Sequence, residues 1–434
     1  MSAVFDPRSP SAHLVGNTLF LPNGSRVFEL DGDTLAGLDA LLESRDEDAI
    51  GQRLRELGVD VPPLIDDTPL TSPPLRALSL AVAQKCNLGC TYCYAQQGDF
   101  GGAAKNMPLD TALESVELLF RDAAPGERFN LSFLGGEPLL NRGVIRMATQ
   151  RALELARERG AQVTFSITTN GTLLSVEDAA FFELHGFAVT ISIDGIGAVH
   201  DAQRAFKGGR ESYAKIIANA EPLLRLQRRM QISARVTVTP HNLALRETLD
   251  GLLALGFHSV GFSPMLAAPT GAGEMHDAAL AELLEQMVDC GREMERRVAA
   301  GQRYPFANLV NALREIHKGT HRPYPCGAGA GYLGVSADGD LSACHRFVGD
   351  EAGQLGSVAS IDRQKQNAWL AERHVHRQEP CRSCWARYLC GGGCHHEVLA
   401  RGRTACDYVR GWLHYAIGAY ARLLDSRPDW FGEP

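Results

Sequence analysis

Ten of the eleven cysteines in this 434-residue chain fall into two groups. Cys86, Cys90 and Cys93 form the first, in the run Lys85-Cys86-Asn87-Leu88-Gly89-Cys90-Thr91-Tyr92-Cys93-Tyr94. Cys326, Cys344, Cys381, Cys384, Cys390, Cys394 and Cys406 form the second. Cys290 stands alone in a helical pattern and reads as a small buried hydrophobe. The chain is too long and apolar to need disulfide staples, and clustered thiols in such a chain more often bind metal or do chemistry. Three thiolates spaced CxxxCxxC can hold three corners of an iron–sulfur cube. Protein clusters usually take four cysteines, so such a loop leaves one iron open to a cofactor or substrate. Zinc is the alternative, but zinc sites usually pair a CxxC with a second CxxC or a histidine pair close by, and none stands near this loop.

The elements that position this loop are legible as a repeat of strand and helix. Apolar, β-rich runs lie at 75–84, 128–134, 162–168, 188–193, 231–239 and 259–263. Helical patterns separate them over Leu109–Asp122, Val144–Arg159, Glu177–His185 and Ser212–Arg228. This alternation predicts a parallel sheet with crossover helices, in an incomplete (β/α)6 barrel or an open six-stranded sheet. The chemistry of a parallel barrel sits at the C-terminal ends of its strands, and the first cysteine loop follows the first of these runs. Upstream, His13–Leu21 and Arg26–Leu30 read as strands around the turn Pro22-Asn23-Gly24-Ser25, followed by two helix faces. A proline-dense stretch then marks a boundary. The expected organisation is an N-terminal unit at 1–60, a linker at 61–74, the barrel at 75–270, a helical bridge at 271–322 and a Cys-rich domain with a closing helix at 323–434. The Cys-rich stretch has too little periodic apolar surface to fold alone, and metal cross-links would supply its stability.

Around the first loop the sequence resembles the radical S-adenosylmethionine superfamily, whose signature CxxxCx(aromatic)C is matched with Tyr92 in the aromatic place. The resemblance implies that Cys86, Cys90 and Cys93 hold a catalytic [4Fe–4S] cluster whose open iron chelates S-adenosylmethionine. One electron then breaks the sulfonium C–S bond, and a 5′-deoxyadenosyl radical abstracts hydrogen from an unactivated carbon. Gly135-Gly136-Glu137-Pro138 matches the family's GGEP motif, with the Glu137 carboxylate suited to the cofactor's amino group. Asn170 in Thr168-Thr169-Asn170-Gly171-Thr172, and Ser192 and Asp194 in Ser192-Ile193-Asp194-Gly195, match positions near the cofactor's ribose and carboxylate. Arg235 is a candidate partner for that carboxylate. His200-Asp201 with Arg204, then Gly208-Gly209, resembles a stretch of one branch of the superfamily. The resemblance names no catalytic acid or base.

The second cysteine group resembles the SPASM extension of peptide-modifying members. Carried over by position, Cys326, Cys344 and Cys394 would hold one auxiliary [4Fe–4S] cluster, and Cys381, Cys384, Cys390 and Cys406 a second. An eighth cysteine of some relatives is absent from Lys318-Gly319-Thr320-His321, which leaves an open iron or a ligand such as His321. His395, His396 and Glu397 lack the HExxH spacing and read as a polar helix start. The implied function is maturation of a ribosomally made precursor peptide by thioether or carbon–carbon cross-linking. Tyr94 to Gly102 resembles the thioether-forming members in particular. The N-terminal unit resembles a winged-helix leader-recognition module, with Arg26–Leu30 as the strand that receives the leader. The alternatives are an anaerobic sulfatase maturase, which makes formylglycine, and an iron–sulfur electron-transfer or scaffold protein. The implied partners are a precursor peptide with its leader and a reductant such as flavodoxin or ferredoxin.

Bulk composition narrows the rest. The chain is 45% apolar and 22% charged with a net charge of −8, which argues against a general nucleic-acid footprint. The absence of a long apolar run predicts no membrane span, and Met1 to Val15 lacks the pattern of a secretory signal, so a cytoplasmic enzyme is expected.

Overall fold

The structure is a computed structural model that describes residues 8–432. Residues 1–7, the start of the expected N-terminal unit, lie outside the described residues. The chain divides into two compact units, each assembled from separated segments. One comprises residues 1–69, 276–326 and 371–434, the other 70–275 and 327–370.

The second unit is the α/β body. Its six parallel strands follow chain order: β4 (Ala77–Gln84), β6 (Arg128–Gly135), β7 (Gln162–Thr169), β8 (Ala188–Ser192), β9 (Gln231–Val238) and β10 (Ser259–Pro264). The short β5 (Lys105–Asn106) pairs antiparallel with the end of β4. Helices α3 (Leu109–Phe120), α4 (Arg142–Arg159), α5 (Val176–His185), α6 (Ala198–Asp201), α7 (Tyr213–Leu226) and α8 (Leu245–Ala254) fill the connections. The strands alternate as their sequence does. Phe129, Leu131 and Phe133 of β6 and Phe165 and Ile167 of β7 are buried on the helix side, where Phe120 of α3 meets Phe129 at 4.8 Å. The opposite face of these strands carries Asn130, Ser132, Thr164, Ser166, Thr168, Thr190, Ser192, Ser233, Arg235 and Thr237, none of them buried. This is the partial-barrel arrangement, an apolar outer layer under the helices and a polar inner face. Local signals set the helix ends. Ser175 and Asp178 form a reciprocal capping box on α5, worth about 1 kcal/mol, and Gly160 closes α4 in the left-handed conformation.

Beyond the six strands the sheet continues in a direction the sequence did not announce. β11 (Tyr332–Val335) pairs parallel with β4, and β12 (Asp340–Ser342), β13 (Gln354–Ser357) and β14 (Ser360–Ile361) follow antiparallel. Residues 327–370 therefore belong to the barrel unit, and the expected single domain at 323–434 is divided. The physical reason is that β4 offers a free ladder of backbone donors and acceptors that β11 satisfies.

The first unit opens with an antiparallel meander of β1 (His13–Val15), β2 (Thr18–Leu21) and β3 (Arg26–Glu29). The run expected as one strand over His13–Leu21 is two, because Gly16 takes a positive φ of 59° and turns the chain between them. α1 (Gly32–Ser44) and α2 (Glu47–Glu56) are capped by Asp31 and Asp46 and bury Leu38, Leu42, Ile50 and Leu54 against Leu14, Leu19 and Leu21. The helical bridge is α9 (Asp277–Ala299) and α10 (Ala307–His317), with Cys290 fully buried on α9 as expected. α11 (Arg363–Arg373), α12 (Arg387–Cys390), α13 (His395–Arg401) and α14 (Cys406–Ser426) complete the chain, α14 packing on α9 and α10. Arg422 holds Glu295 across the α9–α14 pair at 2.8 Å. The N-terminal meander is part of this unit rather than a body of its own. His13 stacks on Trp385 with ring centroids 3.7 Å apart, and its Nε2 lies 2.9 Å from His414 Nδ1 on α14. No helix among the described residues is long and apolar enough to cross a membrane.

Candidate active site around the first cysteine loop

Because the six strands are parallel, the residues that follow each one gather at the same end of the barrel. Cys86 follows β4, Glu137 follows β6, Asn170 follows β7, Asp194 follows β8 and Thr239 follows β9. The GGEP turn presses on the cysteine loop at backbone distance. A Cβ on Gly135 would lie 2.3 Å from the Ala83 carbonyl, and one on Gly136 would lie 2.3 Å from that of Lys85. Glycine is required at both because the obstacle is main chain, which cannot step aside.

Asn170 joins the TTNGT segment to the loop. Its Nδ2 donates to Asn87 Oδ1 at 2.8 Å and lies 3.6 Å from Cys86 Sγ. The Leu88 backbone N–H donates to the same sulfur at 3.4 Å, and Asn87 in turn donates to Thr172 Oγ1. Tyr92 points away from solvent. Its hydroxyl donates to Asp194 Oδ2 and accepts from Arg204 Nη1 at 2.6 Å. Asp194 Oδ1 also accepts from the Thr237 N–H, and its backbone N–H donates to His200 Nδ1.

Glu137 and Asp194, both expected near the cofactor, are engaged within the fold. Glu137 has no exposed surface, and its carboxylate is consumed within the fold. Oε1 accepts from Leu139 N–H and Thr169 Oγ1, and Oε2 from Asn170 N–H. Burial raises its pKa, and those three donors oppose the shift. Asp194 is likewise fully buried and bound by Tyr92 and Thr237. Both carboxylates tie strand ends together, because at this packed rim backbone N–H groups need acceptors. Tyr92 and Asn170 are buried and spent on similar ties. Ser192 and Arg235 are more exposed. They are paired across the β8–β9 ladder and sit on the inner face, Arg235 exposed and Ser192 half-buried.

The sequence reading singled out His200, Asp201 and Arg204 without a role, and missed other contributors. The segment after β8 is fixed by His200 and Asp201. His200 Nε2 lies 3.0 Å from Ser212 Oγ, and Asp201 accepts from the Ser212 and Tyr213 N–H groups. Asn242 donates to the Asp194 and Thr237 carbonyls. Near the loop on the β4–β11 seam, Tyr332 Oη stands 2.7 Å from Ser79 Oγ and 2.8 Å from His345 Nδ1, and Arg346 lies over the Tyr94 ring at 5.1 Å. The only available signals were the His-Asp…Arg pattern and the His-Arg pair after Cys344.

The second cysteine group divides between the units. Cys381, Cys384, Cys390 and Cys406 lie close together in the first, where Cys381 feels the charge of the other three, Cys390 that of Cys384 and Cys406, and Cys384 that of Cys406. Burial pushes the Cys381 thiol up to about 12, opposed by the Arg403 guanidinium. Cys390 accepts from the Gly392 and Gly393 N–H groups, and Cys384 from Ala386 N–H and Arg410. Cys326 and Cys394 belong to the first unit and Cys344 to the second. His321, the suggested extra ligand, is partly spent, with Nδ1 2.9 Å from the Gly319 carbonyl. His395 begins α13, consistent with a helix start.

Residues 80–252 match the family model of the Radical SAM superfamily. Those residues therefore form a radical SAM domain, and the chain is an enzyme. It is similar to the serine-type anaerobic sulfatase-maturating enzyme of Klebsiella aerogenes, 26% identical over 380 residues that cover 83% of this chain and 91% of the relative. A cysteine-type anaerobic sulfatase-maturating enzyme of Clostridium novyi is 31% identical over 157 residues, 35% of this chain and 41% of the relative. Among solved structures, native anSMEcpe with bound AdoMet superposes with a TM-score of 0.67 at 20% identity, covering 81% of this chain and all of that one. SuiB of Streptococcus suis bound to S-adenosylmethionine gives 0.53 at 15% identity, covering 92% and 96%. At these identities the two structures establish a shared fold.

A radical SAM domain implies S-adenosylmethionine and a [4Fe–4S] cluster, and the residues present fit both. Cys93 is near enough to Cys86 and Cys90 to raise the pKa of both, and Cys86 near enough to raise that of Cys90, while no three His, Cys, Asp or Glu among the described residues converge on a single-ion position. The sulfur of Cys86 is met by donors from Asn170 and Leu88, as an anionic cluster ligand would be. Arg204 Nε is buried with no hydrogen-bond partner among the described residues, so cationic capacity remains beside the loop. The polar inner face, with Arg235 on it, suits a ligand carrying a ribose and a carboxylate.

Proposed function

We propose that Cys86, Cys90 and Cys93 hold the catalytic cluster and that the enzyme modifies side chains of a peptide or protein. When bound, the cluster and S-adenosylmethionine supply one-electron chemistry that removes hydrogen from an unactivated carbon. The chain's own part is to fix the cysteine loop through Asn87, Asn170 and Tyr92, to keep the GGEP backbone against it, and to present Ser192 and Arg235 to the cofactor. The observation that carries the reading is that the CxxxCxxC loop and four further strand ends gather at one end of the barrel, with Asn170 hydrogen-bonded to the loop. Cys381, Cys384, Cys390 and Cys406 would hold one auxiliary cluster and Cys326, Cys344 and Cys394 another, three clusters in all. A small electron carrier of the flavodoxin or ferredoxin kind would supply electrons.

The finer reading is maturation of a ribosomally made precursor peptide by a thioether or carbon–carbon cross-link. It is supported by the three-stranded N-terminal meander and by the neighbour SuiB, which has been solved bound to its precursor peptide SuiA and whose fold spans 92% of this chain. A second reading, formylglycine formation on a sulfatase, is favoured by the 26% identity to a sulfatase-maturating enzyme over 380 residues. The test is anaerobic turnover with S-adenosylmethionine and dithionite on two substrates: a short Cys-rich peptide encoded beside the gene, and a sulfatase-derived Cys or Ser peptide. Cross-linking gives a loss of two hydrogens and a product that does not react with a hydrazide. Formylglycine gives an aldehyde that does. Failure to form 5′-deoxyadenosine with either would refute the enzyme class.

A further inference from the structure

The segment that carries the His-Asp…Arg pattern lies along the cysteine loop as a second strand would. Gly89 N–H donates to the Ala205 carbonyl at 2.8 Å, Thr91 N–H to Gln203 at 3.3 Å, and Lys207 N–H to Asn87 at 3.2 Å, with Leu88 and Phe206 paired antiparallel between them. This pairing carries Arg204 inward beside Cys90. Arg204 is 9% exposed, Asp194 is wholly buried, and the two side chains stand 3.7 Å apart with the Tyr92 hydroxyl hydrogen-bonded to both. Buried charges are screened little by water or salt, so both fields reach the loop. Gly89 and Thr91, on either side of Cys90, are the residues whose N–H groups bond this segment, so Arg204 lies opposite Cys90 in the pairing. His200, the remaining titratable group against this pair, is held neutral by burial, its pKa lowered to about 3.

We propose that Arg204 and Asp194, bridged by Tyr92, are positioning residues that set the reduction potential of the cluster on the first cysteine loop, and that they pull it in opposite directions. The inference rests on the reading that Cys86, Cys90 and Cys93 hold that cluster. An added electron is stabilised by the fixed cation and destabilised by the fixed anion, since cluster potentials follow local charge and hydrogen bonding. The pair also explains why an aromatic residue with a hydroxyl suits position 92. Phe would fill the space, but only Tyr can accept from the arginine and donate to the aspartate.

The experiment is a redox titration of the full chain followed by electron paramagnetic resonance, reading the signal that changes when S-adenosylmethionine is added afterwards. Arg204→Gln should lower the reduced-to-oxidised ratio at a fixed potential about tenfold, about 59 mV for a one-electron couple. Asp194→Asn should raise the ratio by a similar factor. Arg204→Lys, which keeps the charge, should stay within threefold of the wild type. A merely structural role would move the first two variants the same way or not at all, and either result overturns the proposal. Should Arg204→Gln fail to retain its cluster, the other two decide: Arg204→Lys must hold the wild-type potential while Asp194→Asn rises. Iron and sulfide analysis of the wild type comes first. A chain that binds no cluster on this loop refutes the cluster reading itself, whereas a loaded wild type with same-sign variants refutes only the charge pair.

Discussion

Glu137→Gln separates a carboxylate that builds the site from one that binds the cofactor. The side chain is fully buried and accepts three hydrogen bonds, two on Oε1 and one on Oε2. Glutamine has the same shape. Its cheapest placement keeps the amide oxygen at the Oε1 position, facing Leu139 N–H and Thr169 Oγ1. The NH2 group then faces the Asn170 N–H, a donor against a donor where the carboxylate stood 2.7 Å away. One charge-assisted bond is lost, worth about 1.5–3 kcal/mol, and a buried N–H is left unsatisfied at about 1–3 kcal/mol. Relief of the buried charge offsets part of this, so the net cost is about 2–4 kcal/mol. In a unit of this size that lowers the melting temperature by roughly 4–16 °C. The assay is anaerobic thermal unfolding of the cofactor-free protein. Thr169→Val alone should cost about 1 kcal/mol, and combined with Glu137→Gln its cost should shrink by at least about 0.5 kcal/mol, as for residues sharing one bond. If Glu137→Gln leaves the melting temperature unchanged yet abolishes S-adenosylmethionine binding, the carboxylate serves the cofactor and the structural argument is wrong.

Other outcomes follow from the same geometry. His200 is held at a pKa of about 3 against 6.5 unfolded, so the unfolded chain takes up the proton first as pH falls, and the stability it contributes is lost below about pH 6.5. Between pH 7 and pH 5 that costs about 2 kcal/mol, and His200→Asn should flatten the pH dependence of unfolding by that amount. Arg235→Met should leave the fold intact and weaken S-adenosylmethionine binding by about 1.5–3 kcal/mol, measured by calorimetry. Gly136→Ala would place a methyl 2.3 Å from the Lys85 carbonyl and should cost about 1–3 kcal/mol or more, with loss of iron from the first loop. If the proposed three four-iron clusters are held as assigned, replacing Cys381, Cys384, Cys390 and Cys406 together by Ala should remove about a third of the bound iron.

The barrel was legible because both of its signals are local. Each of the six β-rich runs became a strand within a residue or two, since alternation of apolar and polar side chains survives in a sheet covered on one side only. The cysteine loop and the GGEP turn were legible because thiols and paired glycines have few other reasons to stand at those spacings. Strands β11 to β14 were missed because they are two to four residues long, and β11, which joins them to the sheet, pairs with chain more than two hundred residues away, which no window detects. The hydrogen bonds that Glu137 and Asp194 make within the fold were not legible for a related reason. A sequence shows that a carboxylate lies at a strand end, but not whether a neighbouring backbone N–H has already claimed it. The polar residues left accessible, Ser192 and Arg235, look no different in the sequence from those buried.

The parallel pairing of β11 with β4 has a consequence for synthesis. β4 lies near residue 80, and its second ladder partner is made about 250 residues later. At typical elongation rates this leaves one edge of the barrel's first strand unpaired for about 13–50 seconds while the intervening helices and strands emerge. An uncovered edge bearing the apolar sequence Ala77-Leu78-Ser79-Leu80-Ala81-Val82 is a template for pairing with other chains. The first unit waits longer still, since its closing helix α14 ends at Ser426. Neither unit can be completed by its N-terminal half, so a prematurely terminated chain would present an open sheet to the cell, and yield on overproduction should depend on chaperones that shield such edges.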